Sequence, residues 1–117
     1  MQQRMTLLQT SNASCWFVSR HKGSIDWINT QNIKVDHYVS HLEQQNYPQR
    51  GDTVIGNLPV QLIAQLNQQG VRFINLDLHI PPELRGKELA LNEIEQNAPS
   101  LSEFLVWKVD SDAPSQV

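Results

Sequence analysis

Cations and a histidine occur together in one short segment of the chain. Arg20, His21 and Lys22 lie between Ser19 and a glycine, just before residues that favour a helix. Guanidinium and ammonium groups beside the free N–H groups of a helix N-terminus bind anions, so the pattern predicts a phosphate-binding loop. A solvated basic turn is the alternative, because the glycine spacing matches neither the Walker nor the dinucleotide-binding fingerprint.

Two later segments carry groups of the same kind. Residues 56–59 read Gly-Asn-Leu-Pro after an apolar stretch, and the amide of Asn57 serves either a ligand or the cap of the next helix. Farther along, Arg85 and Lys87 flank Gly86, which leaves a guanidinium little obstructed. Surface arginines commonly have no specific role, so Arg85 is a candidate only together with the other loops.

Other constellations give weaker signals. His37 and His41 have a spacing that suits two metal ligands on one helical turn, but the segment reads as extended and no third ligand is defined. We therefore interpret both as surface histidines and expect no metal site. Ser19 and His21 suggest a nucleophile and its base, yet no acidic residue that would orient the histidine is evident, so serine catalysis is not expected.

Composition limits the classes of function. The chain has 117 residues and a formal net charge of -3, which predicts one domain and argues against a protein that coats long nucleic acid. Cys15 is the only cysteine and cannot form an internal disulfide. Neither a signal peptide nor an apolar stretch of bilayer-spanning length is evident. We expect a cytoplasmic protein whose partners include neither a membrane nor long nucleic acid.

Apolar periodicity predicts the elements that position these loops. Strands are expected at 14–19, 53–56, 71–80 and 104–107, with an edge strand or a strand and turn within 33–42. Helices are expected from an N-cap at Ser24 to about residue 30, from an N-cap at Asn57 to Gly70, and over 91–97. The three tryptophans at apolar positions are interpreted as core residues: Trp16, Trp27 and Trp107.

Strands that alternate with helices predict an α/β layer fold with a mostly parallel sheet. In such sheets ligands bind beyond the carboxyl ends of the strands, where we expect the loops after Val18, Gly56 and Ile80 to meet. The predicted organisation is an N-terminal extension over 1–14, a single domain over 15–109 and a C-terminal tail over 110–117.

Three separated motifs resemble those of a known family. The first reads WFVSRH over 16–21, with Gly23 and Trp27 following it. The second reads GDTVIGNLPV over 51–60, and the third reads LRGKEL over 84–89 after Pro82. On these motifs, residues 15–109 resemble the small accessory proteins of type III CRISPR systems called the Csx-sixteen family.

The resemblance implies a CARF-like, Rossmann-like three-layer domain that forms a homodimer in a prokaryotic cytoplasm. It also implies a ring nuclease, which binds cyclic tetra-adenylate and linearises it to switch off type III signalling in antiviral defence. In this reaction a ribose 2′-hydroxyl attacks the adjacent phosphate and leaves a 2′,3′-cyclic phosphate. Intramolecular attack requires neither a metal nor another cofactor, and none is expected.

Joined to the resemblance, the loops provide the expected site residues. Arg20 and Arg85 would bind the phosphate and stabilise its transition-state charge, and His21 would transfer a proton. The remaining loop positions are expected to bind the ligand: Ser19, Lys22, Gly23, Gly56, Asn57, Leu58, Pro59 and Gly86.

Two other functions remain open at this stage. The same basic loops would serve a protein that sequesters the cyclic messenger without cutting it, in which case silencing would need protein in excess of ligand. A module that contacts another protein and binds no nucleotide ranks last, because the three polar loops are expected at the sheet end where ligands bind.

Overall fold

A single five-stranded sheet with helices on both faces organises residues 12–109, the part of the chain that the computed structural model describes. In chain order the strands are β1 (Cys15–Val18), β2 (His37–Val39), β3 (Thr53–Gly56), β4 (Arg72–Asp77) and β5 (Ser100–Phe104). The helices are α1 (Lys22–Asn29), α2 (Val60–Gln68) and α3 (Leu91–Glu95), and a 3-10 turn covers Pro82–Leu84.

The strand order is β2-β1-β3-β4-β5, and only β5 runs antiparallel to its neighbour. This is the mostly parallel α/β sheet that the sequence predicts, and it is compatible with a Rossmann-like fold. The chain leaves β1 for β2 on one side and returns to β3 on the other. The direction of winding therefore reverses between β1 and β3, and ligands of open α/β sheets bind beside such a reversal.

Alternate residues of β1 point to opposite faces of the sheet. Cys15 and Phe17 belong to a core cluster that includes the buried side chains of α1 and α3. Trp16 and Val18 belong to a second cluster with the buried side chains of α2. Because helices cover both faces, every residue of β1 and β3 is buried, and the domain has three layers.

Polar side chains hold β5 in register against β4. Arg72 donates two hydrogen bonds to the carboxylate of Glu103, at 2.7 and 2.5 Å. At the other end of the pair, the Asp77 carboxylate accepts hydrogen bonds from Ser102 and from Ser100. The bond from Ser102, then one from the Asn75 amide, lower the pKa of Asp77. These contacts explain why a largely polar segment forms the last strand.

The prediction of a last strand over 104–107 is wrong by four residues, since β5 begins at Ser100. The pairing with β4 uses the polar residues, and the apolar run continues past the end of the sheet. Trp107 is accordingly 52% exposed, which corrects its interpretation as a core residue, whereas Trp16 and Trp27 are buried as expected. The strand predicted over 71–80 ends at Asp77, although the side chains of Leu78 and Ile80 still pack against the core.

Both predicted helix caps are wrong. The first helix begins at Lys22, with His21 at the N-cap, so Ser24 lies inside the first turn and is buried. The second helix begins at Val60 with Pro59 at the N-cap. Gly70 follows its end with φ of 85°, as expected for a residue that terminates a helix. The segment 33–42, predicted as an edge strand or a strand and turn, contains the short strand β2. This strand lies at the edge of the sheet.

The predicted tail, residues 110–117, and most of the predicted N-terminal extension lie outside the described residues. Within residues 12–109, no helix has the length and apolar character needed to cross a membrane.

Candidate functional site: two adjoining clefts at the carboxyl ends of the strands

The first cleft lies where the loops after β1, β2 and β3 meet, and it has a volume of about 540 Å³. The loop after β1 contributes Ser19, Arg20 and His21. The loop after β3 contributes Asn57, Leu58 and Pro59, and the segment after β2 contributes Ser40, His41 and Leu42. Arg20 therefore shares this cleft with five other residues that the sequence predicts for the site: Ser19, His21, Asn57, Leu58 and Pro59.

The second cleft lies between α1 and the segment that follows β4, and it has a volume of about 500 Å³. Arg85, Gly86 and Lys87 line it at one side, and apolar side chains such as Leu78 and Ile80 form much of its wall. The Nε of Arg85 donates a hydrogen bond to the carbonyl oxygen of Ile80 at 3.3 Å. Most of the donors of this exposed guanidinium remain available to a ligand.

His21 and Asn57 line both clefts, so the two clefts adjoin. The Asn57 amide nitrogen donates to the carbonyl oxygen of Leu76 at 2.8 Å and to Asn75 at 3.2 Å. This side chain therefore ties the end of β3 to β4 rather than capping α2. Both hydrogen bonds use the amide nitrogen of Asn57, and they hold the Asn57 side chain in place where the two clefts meet.

A carboxylate lies against His21. Oε1 of Glu88 is 3.4 Å from His21 Nδ1, and Oε2 accepts a hydrogen bond from the Lys22 backbone N–H at 3.0 Å. Glu88 thus supplies the anion at the N-terminus of α1, where negative charge is stabilised. The sequence interpretation found no acidic partner for the histidine, although Glu88 is part of the LRGKEL motif. Its distance of 67 positions from His21 hid the contact.

The cations of the basic loops are distributed over different places. Arg20 is exposed in the first cleft and forms no ion pair with a described residue. Arg85 belongs to the second cleft. The ammonium of Lys22 lines neither cleft and pairs with Asp26 one helical turn later, at 3.2 Å. The two guanidiniums therefore flank His21 from separate clefts.

Close packing explains two of the predicted loop glycines. A Cβ at Gly23 would lie 2.0 Å from the Leu89 carbonyl oxygen, and one at Gly56 would lie 2.6 Å from the Val18 carbonyl oxygen. Both residues are buried and line neither of the two clefts. Gly23 lets the segment that carries Glu88 approach α1, so it acts on the site through packing. Gly86, in contrast, lies in the second cleft with φ of 79°.

The two histidines of the pair at 37 and 41 have different surroundings. The ring of His37 stacks on Trp16, with the ring centroids 4.1 Å apart. His41 lines the first cleft, with Ser40 Oγ 3.1 Å from its Nδ1 and Glu43 Oε2 3.0 Å from its Nε2. No group of three or more His, Cys, Asp or Glu side chains that could hold a metal ion occurs among residues 12–109.

His41 is not among the site residues predicted from the sequence, because it is interpreted there as a surface histidine in a segment, 33–42, that forms an edge strand or a strand and turn. In the structure β2 ends at Val39, so His41 lies in a loop at the carboxyl ends of the strands. A strand boundary placed at Val39 would have assigned it to the same edge as Arg20.

The one thiol of the chain has no part in this chemistry. Cys15 is buried in β1, and burial raises its pKa to about 11, with smaller contributions from the Asp36 and Asp52 charges. A protonated thiol is a poor nucleophile. The clefts instead offer guanidiniums, a group suited to binding phosphate, and imidazoles with carboxylate partners, a group suited to proton transfer.

Comparison with known proteins agrees with the CRISPR association. Residues 16–107 match the family described as "Putative CRISPR-associated protein (Cas_VVA1548)". No curated protein and no solved structure matches the chain. The matched residues include every residue that lines the two clefts. The chain therefore belongs to this family of CRISPR-associated proteins.

Proposed function

We propose that this protein is a ring nuclease that binds cyclic tetra-adenylate and linearises it without a metal ion. One observation carries the proposal: His21 lies at the junction of two clefts, with Arg20 in one and Arg85 in the other. Membership of a CRISPR-associated family supports a role in that system. The resemblance of the three motifs to the Csx-sixteen family supplies the substrate and the CARF-like relationship.

Arg20 and Arg85 bind phosphates of the ring and stabilise the charge that develops on the phosphoryl oxygens. A guanidinium suits this role because its planar array of donors matches two phosphate oxygens at once. The clefts lie at the carboxyl ends of β1 and β3, beside the reversal of winding where ligands of such sheets bind. Leu58 and Pro59 offer apolar surface to an adenine in the first cleft.

The reaction is an isomerisation in which atoms and charge balance without added water. The ribose 2′-oxygen forms a bond to the adjacent phosphorus, and the bond from phosphorus to the 5′-oxygen of the next nucleotide breaks. The 2′-hydroxyl loses a proton and the 5′-oxygen gains one, so that the products end in a 2′,3′-cyclic phosphate and a 5′-hydroxyl. His21 transfers one of these protons, and Glu88 orients its imidazole.

A homodimer fits a ring with four phosphates. A two-fold axis through the ring would present two copies of Arg20 and Arg85 to opposite phosphates, so that each chain supplies half of the cations. The expected complex contains two chains for each ring, which native mass spectrometry measures directly. A stable complex with one chain for each ring would contradict the dimeric arrangement.

The test incubates a small amount of protein with excess cyclic tetra-adenylate in a chelator and identifies the products by chromatography and mass spectrometry. Many turnovers to linear products that end in a cyclic phosphate are expected. The variant Arg20→Ala should lose cleavage and bind the ring more weakly, whereas His21→Ala should keep binding and lose about 10²- to 10⁴-fold in rate. Lys34→Ala is the matched control. It also removes one positive charge, but Lys34 precedes β2 and therefore lies at the opposite end of the sheet.

The alternative outcomes are distinct. A ring that stays intact and elutes with the protein would show a sequestering function and overturn the nuclease. If the protein neither binds nor cleaves the ring, the proposal that its ligand is this cyclic nucleotide is overturned. Equal rates for Arg20→Ala, His21→Ala and the wild type would place the active site elsewhere.

A further inference from the structure

A second imidazole lies in the first cleft with its own partners. His41 Nδ1 is 3.1 Å from Ser40 Oγ, and its Nε2 is 3.0 Å from Glu43 Oε2. The side chains of His41 and Glu43 are 60% and 58% exposed, so solvent and ligand both reach them. Ser40 and His41 line the same cleft as Arg20 and His21.

The sheet holds this segment beside the basic loop. Val39, the last residue of β2, is paired with Val18 of β1 in the parallel ladder. The Ser19 backbone N–H then donates to the Val39 carbonyl oxygen at 2.9 Å, which extends the pairing beyond both strands. Residues 40 and 41 therefore leave the sheet next to residues 19–21, and the two histidines face one cleft from neighbouring loops.

The two imidazoles have matching surroundings. Each has one ring nitrogen beside a carboxylate: Nδ1 of His21 beside Glu88, and Nε2 of His41 beside Glu43. Such a carboxylate fixes the orientation of the ring and leaves the other nitrogen for a substrate. Within residues 12–109 no hydrogen-bond partner meets Nε2 of His21. A serine hydroxyl occupies the other nitrogen of His41, and a ribose hydroxyl has the same hydrogen-bonding groups.

In-line attack needs proton transfer at two places. The 2′-oxygen approaches phosphorus from the side opposite to the departing 5′-oxygen, so one imidazole at one position reaches only one of them. A base must accept the proton of the 2′-hydroxyl, and an acid must supply a proton to the 5′-oxygen. The first cleft has two imidazoles on neighbouring loops, and the guanidinium of Arg20 lines the same cleft and is available for the phosphate.

We propose that His41 is a second catalytic residue of this site and forms an acid–base pair with His21. This inference rests on the proposed linearisation of cyclic tetra-adenylate. In the reaction the ribose 2′-hydroxyl replaces Ser40 Oγ at Nδ1 of His41, which accepts its proton as the bond from the 2′-oxygen to phosphorus forms. His21 supplies a proton from Nε2 to the 5′-oxygen as the bond between that oxygen and phosphorus breaks. Glu43 is a positioning residue that orients His41.

The test measures kcat/KM for cyclic tetra-adenylate against pH in wild type, His41→Ala and His21→Ala. The wild type should give a bell-shaped profile, because one group must be deprotonated and the other protonated. His41→Ala should lower kcat/KM at the optimum by about 10²- to 10⁴-fold and remove the acidic limb. His21→Ala should remove the basic limb instead. Isothermal calorimetry should show that ring binding by His41→Ala is unchanged within a factor of about three.

Three further variants sharpen the result. His79→Ala removes an exposed histidine outside both clefts and should react at the wild-type rate. Glu43→Gln should shift the acidic limb of the profile while its circular dichroism spectrum stays native. His41→Asn provides a polar replacement if the alanine variant fails to fold.

The outcomes separate this inference from the function on which it rests. Wild-type protein that does not cleave the ring would overturn the proposed function and this inference with it. Wild-type cleavage with an unchanged rate and profile in His41→Ala would overturn the role of His41 alone.

Discussion

Replacing Gly23 by alanine tests how tightly the two sides of the second cleft are held together. The added Cβ would lie 2.0 Å from the Leu89 carbonyl oxygen and 2.9 Å from Cδ1 of Ile94. Contacts of a Cβ below 3.0 Å essentially do not occur in real proteins, and the nearer contact is with backbone that has no free rotamer. Either α1 or the segment that carries Leu89 must therefore move by about 1 Å.

The consequence for the site follows from the neighbouring residue, Glu88. Its carboxylate is 3.0 Å from the Lys22 backbone nitrogen and 3.4 Å from His21 Nδ1, and an added displacement of about 1 Å takes both beyond hydrogen-bond distance. Overpacking of this kind costs about 1 to 3 kcal/mol of unfolding free energy. A displacement of about 1 Å at a positioning contact also lowers a reaction rate by about 10²-fold.

Urea unfolding measures the loss of unfolding free energy in Gly23→Ala, and the rate of ring linearisation measures the effect on the reaction. Gly51→Ala is the matched control, because Gly51 has φ of 94° and a Cβ there would meet nothing within 4 Å. A residue with a side chain costs about 1 to 2 kcal/mol in this left-handed backbone conformation. The control should therefore lose about as much unfolding free energy as Gly23→Ala, but at a position that lines neither cleft. We expect it to keep the wild-type rate. Wild-type stability and rate in Gly23→Ala would refute the reasoning from the close approach of Leu89.

Three further predictions concern stability and reactivity. Asp52 is buried and accepts hydrogen bonds from the backbone nitrogens of Ser14 and Gln49 and from the Trp16 indole. Asp52→Ala should therefore lower the unfolding free energy, measured with urea, by about 3 to 5 kcal/mol. A decrease below about 1 kcal/mol would contradict this. Because the folded pKa of Cys15 is raised to about 11 from 9.0, its contribution to stability is complete below pH 9.0 and is lost as the pH rises through about 11. Iodoacetamide at pH 8 should therefore label Cys15 only after unfolding, and rapid labelling of native protein would refute its burial. Leu105→Asp, at a side chain that is 70% exposed, should change the unfolding free energy by no more than about 0.5 kcal/mol, and a larger loss would show an unrecognised contact.

Local sequence was sufficient for the strands that are buried on both faces. The apolar runs around Phe17 and Ile55 predict β1 and β3 correctly, because a strand covered by helices on both sides needs apolar residues at successive positions. Gly70 likewise marks the end of α2, since its backbone conformation suits glycine locally. The predicted mostly parallel α/β sheet and its site-bearing edge follow from these elements.

Elements held by distant contacts were predicted less well. β5 lies at Ser100–Phe104 and not in the apolar run, because Arg72 and Asp77 of β4 bind its polar side chains. α1 begins at Lys22 and not after Ser24, because Glu88 binds the N–H group of Lys22. Neither partner is near in sequence, so local propensity carries no information about either contact.

The sequence by itself determined the residue types that can bind phosphate and transfer protons, and it placed the loops with Arg20 and Asn57 at one edge of the sheet. Only the tertiary structure decided which of these groups share a cleft. It separated Arg20 from Arg85, brought Glu88 to His21, and placed His41 beside the basic loop. The physical reason is that strand pairing and helix packing set distances between side chains far apart in the chain, whereas periodicity and capping report only on neighbours.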